Sequence, residues 1–219
     1  MRETTALKRL VGSAHQAVAY RPRVRALGAL VARQLREGDR VLDVGCGAGA
    51  LAAACMAALP GTRFEGLERA PRGGEPIPVQ RLEGDVFPFD ARAFDVVLLA
   101  DVVHHEPRPL ELLRECRRVA RRAVLVKDHW HRSGWEFLRI CALDCAANYA
   151  PGVPCLYRYG TPESWRALFG EADLALRSIE SPLHLYRQPF EWIFGGRLHF
   201  FADLDPGREE AAGQSPTAS

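Results

Sequence analysis

The stretch Val41-Leu42-Asp43-Val44-Gly45-Cys46-Gly47-Ala48-Gly49 limits what this chain can fold into more than any other. Val41, Leu42 and Val44 are apolar and mostly β-branched, the composition of a strand covered on both faces of a parallel sheet. The glycines let the chain turn sharply and present bare backbone N–H groups to a ligand. Ala50 to Leu59 has high helix propensity, and a helix there points its positive end back at the turn. Strand, glycine turn and helix in that order suit a ligand that carries a nucleoside. Asp43 is the odd member, because a carboxylate in an apolar strand is costly unless it is paired.

The rest of the chain repeats the alternation. Thr62 to Glu68 reads as a strand with an acid at its end, placed to accept both hydroxyls of a ribose. Residues 70–78, Ala-Pro-Arg-Gly-Gly-Glu-Pro-Ile-Pro, are too rich in proline and glycine for a helix and predict an extended crossover. Val79 to Leu82 is a short strand, followed by Gly84-Asp85-Val86. Phe94 to Ala100 is a nearly continuous apolar run and reads as a buried strand. Pro109 suits a first helical turn, and Leu110, Leu113, Cys116, Arg117 and Ala120 are assigned to that helix. Ala123 to Lys127 is a fifth strand, with Asp128 and His129 just past it. Leu174 to Ile179 and Arg197 to Ala202 look like two closing strands. Strands alternating with helices imply a doubly wound, mostly parallel α/β sheet. Ligands of such sheets bind outside the carboxyl ends of the strands. That rule gathers Gly45 to Gly49, Glu68, Asp85, Asp101 to His105, Asp128 and His129 around one crevice.

Two ligand classes use such a loop. Gly45-x-Gly47-x-x-Ala50, with Glu68 beyond it, formally fits a dinucleotide fingerprint. Asp43 would then sit under a pyrophosphate, and Asp85 suits an adenine amino group instead. Leu42 to Gly49, the Glu68 strand end, Gly84-Asp85 and Phe94-Asp95-Val96-Val97 resemble class I S-adenosylmethionine-dependent methyltransferases of the broad type 11 group, over residues 23 to 180. The resemblance implies a Rossmann-like sheet of seven strands with the last antiparallel, and S-adenosylmethionine as cofactor. Its cofactor site falls on Asp43, Gly45, Cys46, Gly47, Gly49, Glu68, Arg69, Asp85, Val86 and Asp101.

A methyl sulfonium is already electrophilic, so such a site mainly aligns a nucleophile and excludes water. A hydroxyl or acidic carbon also needs a base. His129 and His104 are the candidates, with Asp128 to orient them, and His105 is expected to shape the pocket. No metal-ligand cluster of the catechol type is evident, so metal independence is expected. The place after the fourth strand reads Ala100-Asp101-Val102-Val103-His104-His105, without the Pro-Pro-aromatic motif of base amino-methylation, which argues against nucleic acid as the acceptor. The expected function is methyl transfer to oxygen or carbon of a small molecule, such as a secondary metabolite. Alternatives are methylation of protein or RNA, or a fold relative that binds the cofactor without transferring methyl.

A chain of 219 residues supports one sizeable core. A formal net charge of +2 demands no nucleic-acid or anionic membrane partner. The six cysteines include no Cys-x-x-Cys pair, against a zinc ribbon or redox motif. With no apolar leader and no membrane-length run, a cytoplasmic protein is expected. Residues 1–38 read as an N-terminal helical cap in which Tyr20, Arg21, Arg23 and Arg25 could reach the cofactor or an acidic substrate, with at least two of the arginines simply solvated. Residues 39–204 form the catalytic domain, with an aromatic lid insertion at 129–160, and 205–219 a disordered tail. Whether the chain is a monomer or homodimer is open at this stage.

Overall fold

The strand-turn-helix stretch folds as its composition predicts. A computed structural model describes residues 20–148, 156–186, 188, 191, 192 and 195–207, with backbone alone for 146–148. The expected tail from 208 and the cap residues 1–19 lie outside the described residues, as do lid residues 149–155. Helix α1 is Arg21–Ala32, strand β1 Arg40–Val44, helix α2 Ala50–Ala58, β2 Arg63–Glu68 and β3 Val79–Arg81. Strand β4 is Phe94–Ala100, followed by a short 3-10 turn, Val103–His105. Helix α3 is Pro109–Val119, β5 Ala120–His129, α4 Gly134–Asn148, α5 Pro162–Glu171, β6 Ala175–Glu180 and β7 His199–Asp205.

These seven strands form one sheet in the order β3-β2-β1-β4-β5-β7-β6. The first five are parallel, while β7 runs antiparallel to both β5 and β6. The doubly wound, mostly parallel sheet expected from the sequence is therefore the one formed. The order reverses beside β1, which puts the β1 and β4 ends at the switch point where open α/β sheets take ligands.

Alternate residues of one strand feed two cores, because a strand's side chains point to opposite faces. Val97 and Leu99 of β4 join Leu42, Val44, Val124 and Val126 under α3 and α5. Val96 and Leu98 join Val41, Ala123 and Leu125 under α1 and α2. This explains why β4 and β5 read as unbroken apolar runs. Helix α3 buries Leu112, Leu113, Cys116 and Val119, one stripe at helical spacing, and opens on Pro109 at its first turn. Helix α5 is capped by Thr161, whose side chain accepts from the Ser164 N–H at 3.3 Å. The proline-rich crossover at 70–78 forms no helix, and Ile77 anchors it by packing into the α1–α2 core.

Several element ends differ from the sequence reading, among them β7, which runs to Asp205 where a disordered tail was expected to begin. Ala120, assigned to α3, is the first residue of β5, with no loop between helix and strand. At its other end β5 runs on through Asp128 and His129, which were expected just past it. The antiparallel neighbour extends it: Asp128 pairs with Phe200 and His129 with His199. Two polar side chains are thereby held on a rigid strand rather than a loop.

Candidate active site

The glycine turn leaves β1 against two walls. Gly45 has φ +67°, and a Cβ there would lie 2.6 Å from Val102 Cγ2, so only glycine lets the turn close on the β4 side. Gly47, at φ +56°, is the opposite case, with open space where its side chain would be. Its N–H donates to Glu68 Oε2 at 2.9 Å. Gly49 stands at the N-cap of α2. Cys46 turns its sulfur towards Gly66 of β2, and burial, with Asp43 and Glu68 beside it, pushes its thiol up to about 12. That thiol packs and does not react.

Asp43 is 2 % exposed, and its Oδ2 is buried without a hydrogen-bond partner. Burial, and then the Glu68 carboxylate, raise its pKa to about 7. An acid raised in this way costs stability once it ionises. The cost is absent below the unfolded value near 4, grows as pH rises through about 7 and is constant above. Asp43→Asn is therefore expected to gain on the parent between pH 4 and pH 8, by roughly 4 kcal/mol at pH 8. Urea unfolding of both proteins at the two pH values checks this, and a gap that does not change with pH would mean that Asp43 is already charged and paired.

Across the crevice, at the ends of β4 and β5, the polar residues form a buried network. Asp101 takes φ +60° and pairs with Arg23 of α1 and with Lys127 of β5. Burial alone would raise the Asp101 pKa, but the two cations hold it well below the usual carboxylate range. Asp101, expected among the cofactor contacts, is thus a charge hub of this network. Of the arginines considered on α1, Arg21 and Arg25 are exposed and only Arg23 turns inward. Lys127 is fully buried and donates to His199 Nδ1 at 3.1 Å; burial, then Arg23, lower it to about 8 against the pull of Asp101.

The two histidines named as bases have opposite environments. His104 Nδ1 lies 2.6 Å from Asp128 Oδ1, and its Nε2 3.7 Å from Asp144 Oδ1 of α4. Burial would lower its pKa, but Asp128 and then Asp144 overcome that and raise it to about 10. A metal-free His104 is a charged clamp with no lone pair to offer a proton. His129 is pulled down to about 4 by burial and by Lys127. Its Nδ1 lies 3.4 Å from Asp101 and 3.6 Å from Asp128. An N–H at Nδ1 facing those carboxylates leaves Nε2 with the lone pair.

Asp85 is further out. Its carboxylate is paired with Arg108 and, at 3.5 Å, with Arg69, which also reaches Glu106. Such exposed pairs are weak and can be exchanged for a ligand. Val86 beside it is 71 % exposed.

Residues 42–126 match a family model described as Methyltransferase domain. That stretch of the chain is similar to a methyltransferase domain. Among curated relatives, the ubiquinone biosynthesis O-methyltransferase of Vibrio vulnificus is 34% identical over 109 residues, 43% of this chain and 42% of the relative. The chain thus spans about two fifths of the length of such relatives. Among solved structures, a chain of the complex between the Haloferax volcanii Trm112 methyltransferase activator and a methyltransferase has a TM-score of 0.62 at 16% identity, covering 83% of this chain and 89% of that one. The YcgJ protein of Bacillus subtilis has a TM-score of 0.60 at 18% identity, covering 84% and 99%. These last two establish the shared fold.

Methyltransferases of the matched family use S-adenosylmethionine, and the residues here fit that cofactor. The stranded Asp43 oxygen suits a ligand bearing a cationic or N–H group. The open face of Gly47 admits a ligand to the backbone, and the half-exposed Glu68 stands beside it at the end of β2.

Lys127, Asp144, Tyr159 and His199 belong to the buried network and were not singled out from the sequence. Lys127 is one of only two lysines and ends an apolar run, which is a readable signal. Asp144 is an acid within the apolar run Ile140 to Ala147, equally readable as a buried charge seeking a partner. Tyr159 falls within the aromatic lid read at 129–160, while His199 comes from a distant segment and carries no local mark.

Proposed function

We propose that this methyltransferase domain moves a methyl group from S-adenosylmethionine to a small molecule, with oxygen as the acceptor atom. The cradle of Asp43, Gly47 and Glu68 carries the reading, with a neutral His129 on the same carboxyl edge of the sheet. When bound, the cofactor supplies a methyl group activated on sulfur. Glu68 accepts from the ribose hydroxyls, Asp43 faces the cationic part, and Asp85 exchanges its arginines for the adenine amino group. His129 Nε2 takes the acceptor proton, while Nδ1 faces Asp101 at 3.4 Å and Asp128 at 3.6 Å. The Arg23–Asp101–Lys127 pairs brace that edge of the sheet. Oxygen is favoured over carbon by the curated relatives, which are O-methyltransferases by name.

The acceptor side is aromatic. Tyr159 is buried within 5.2 Å of the His104 ring centroid, and Phe137 lies edge-on to Tyr159 and to His131. Such a wall suits a small planar or apolar acceptor, and excludes water from the reacting atoms. Among the described residues no helix is long and apolar enough to cross a membrane.

Two measurements test the proposal. Calorimetry with S-adenosylhomocysteine should show binding, and with NADH none; the reverse result sinks it. S-adenosylhomocysteine release should then be detectable with at least one member of a panel of small phenols and hydroxylated ring compounds. Glu68→Ala should weaken S-adenosylhomocysteine binding by about 1–3 kcal/mol, the cost of stranding hydrogen-bonding partners. Unaltered affinity would place the ribose elsewhere.

A further inference from the structure

We propose that His104, His105 and Asp144 form a binding site for one divalent transition-metal cation of the zinc class, tying helix α4 to the end of β4. The sequence shows no metal-ligand cluster of the catechol type, which led to an expectation of metal independence, and these donors come from two separate segments. The fold brings them together: Asp144 Oδ1 lies 3.7 Å from His104 Nε2 and 3.9 Å from His105 Nε2. Those gaps exceed normal hydrogen bonds of about 2.7–3.2 Å. They are close to the spacing of two ligands that share one ion, each bonded at about 2.0–2.2 Å.

A second observation points the same way. His104 is 2 % exposed, and its Nε2 is buried without a hydrogen-bond partner. Its other nitrogen is held by Asp128 at 2.6 Å. A carboxylate on the far nitrogen is the usual outer support of a metal-bound histidine, because it sets the tautomer and aims the remaining lone pair at the ion.

Two rival arrangements are weaker. His104, Asp128 and His129 also approach one another. Asp128, however, already accepts from His104 Nδ1, from the Val103 N–H at 3.1 Å and from the His129 N–H at 2.7 Å. Its lone pairs are spent on positioning. Cys141 and Cys145 share helix α4, but among the described residues neither falls in a cluster of metal-ligating groups. Two histidines and one carboxylate leave a coordination position open, the pattern of sites that bind a further oxygen ligand. The site does not depend on methyl transfer, and its test reads metal directly.

The full chain, stripped with EDTA and dialysed, is titrated with Co2+ followed by visible absorption, and with Zn2+ followed by calorimetry. One ion per chain is expected, with the d–d absorption of a four- or five-coordinate Co2+. His105→Ala and Asp144→Asn, each checked for folding by circular dichroism, should weaken binding by about 100-fold or more, since each removes a ligand. Asp128→Asn should weaken it by about 10–100-fold, as loss of outer support does. Cys141→Ser and Cys145→Ser should leave it unchanged. Zn2+ should raise the melting temperature of the parent but not of Asp144→Asn. Absence of binding overturns the proposal, and so does binding that survives in both His105→Ala and Asp144→Asn or is lost in the cysteine variants.

Discussion

Asp128→Ala is expected to lower the stability of the fold by about 3–5 kcal/mol, the range for removing one partner of a buried ion pair. Asp128 has no exposed surface, and its two oxygens serve three donors: the His104 ring, the Val103 N–H and the His129 N–H. The variant leaves an imidazolium in the core without its counter-charge. It also leaves two buried amides unpaired, each worth about 1–3 kcal/mol. His104 can shed its proton in response, so the loss is smaller than the sum of these terms. Asp128→Asn keeps the shape and one acceptor and should lose less than Asp128→Ala. Urea unfolding near pH 7 in the presence of EDTA, so that metal does not intervene, measures both. A loss under about 1 kcal/mol for Asp128→Ala would mean that His104 is neutral in the fold and that the network is held by Asp144 instead.

The same residue shows where sequence reasoning succeeds and where it stops. The strand carrying Asp128 was legible because Ala123 to Lys127 is apolar without interruption, and the crevice followed from the rule about strand ends. The glycine turn was legible for a local reason, since Gly45 and Gly47 need their positive φ whatever else is present. The ends of β5 were not legible. The start pairs with β4 at Phe94, and the carboxyl end depends on β7, a partner strand far along the chain whose pairing no local pattern announces. The roles of Asp101 and the two histidines were hidden for a related reason. His104-His105 reads identically whether an acid comes to meet it or not, and the acid that comes, Asp144, lies on the lid helix. Charge balance in a buried site is a tertiary property, so the sequence could identify the titratable groups but not which of them would be charged.

His129→Ala is expected to reduce turnover by about 10²–10⁴-fold, the usual worth of a positioned general base. Affinity for S-adenosylhomocysteine should stay within about twofold of the parent, because the cofactor cradle of Asp43, Gly47 and Glu68 lies on β1 and β2 and not on β5. The argument rests on contrast within one network. His104 is held in its charged form by two carboxylates, whereas Lys127 and burial keep His129 neutral. His129 also retains 18 % side-chain exposure, against 2 % for His104, so it is the one an acceptor can touch. His104→Ala would be an ambiguous test, since it strands Asp128 and the fold suffers with the rate. His129→Ala is cleaner: Asp101 keeps Arg23 and Lys127, and Asp128 keeps His104. Turnover is read as S-adenosylhomocysteine release with whichever panel acceptor the parent methylates, and cofactor affinity by calorimetry on the same preparations. Unchanged turnover would remove His129 from the mechanism. Lost cofactor affinity would move it into the cofactor site, leaving the acceptor hydroxyl to be activated by a group outside this pair of histidines.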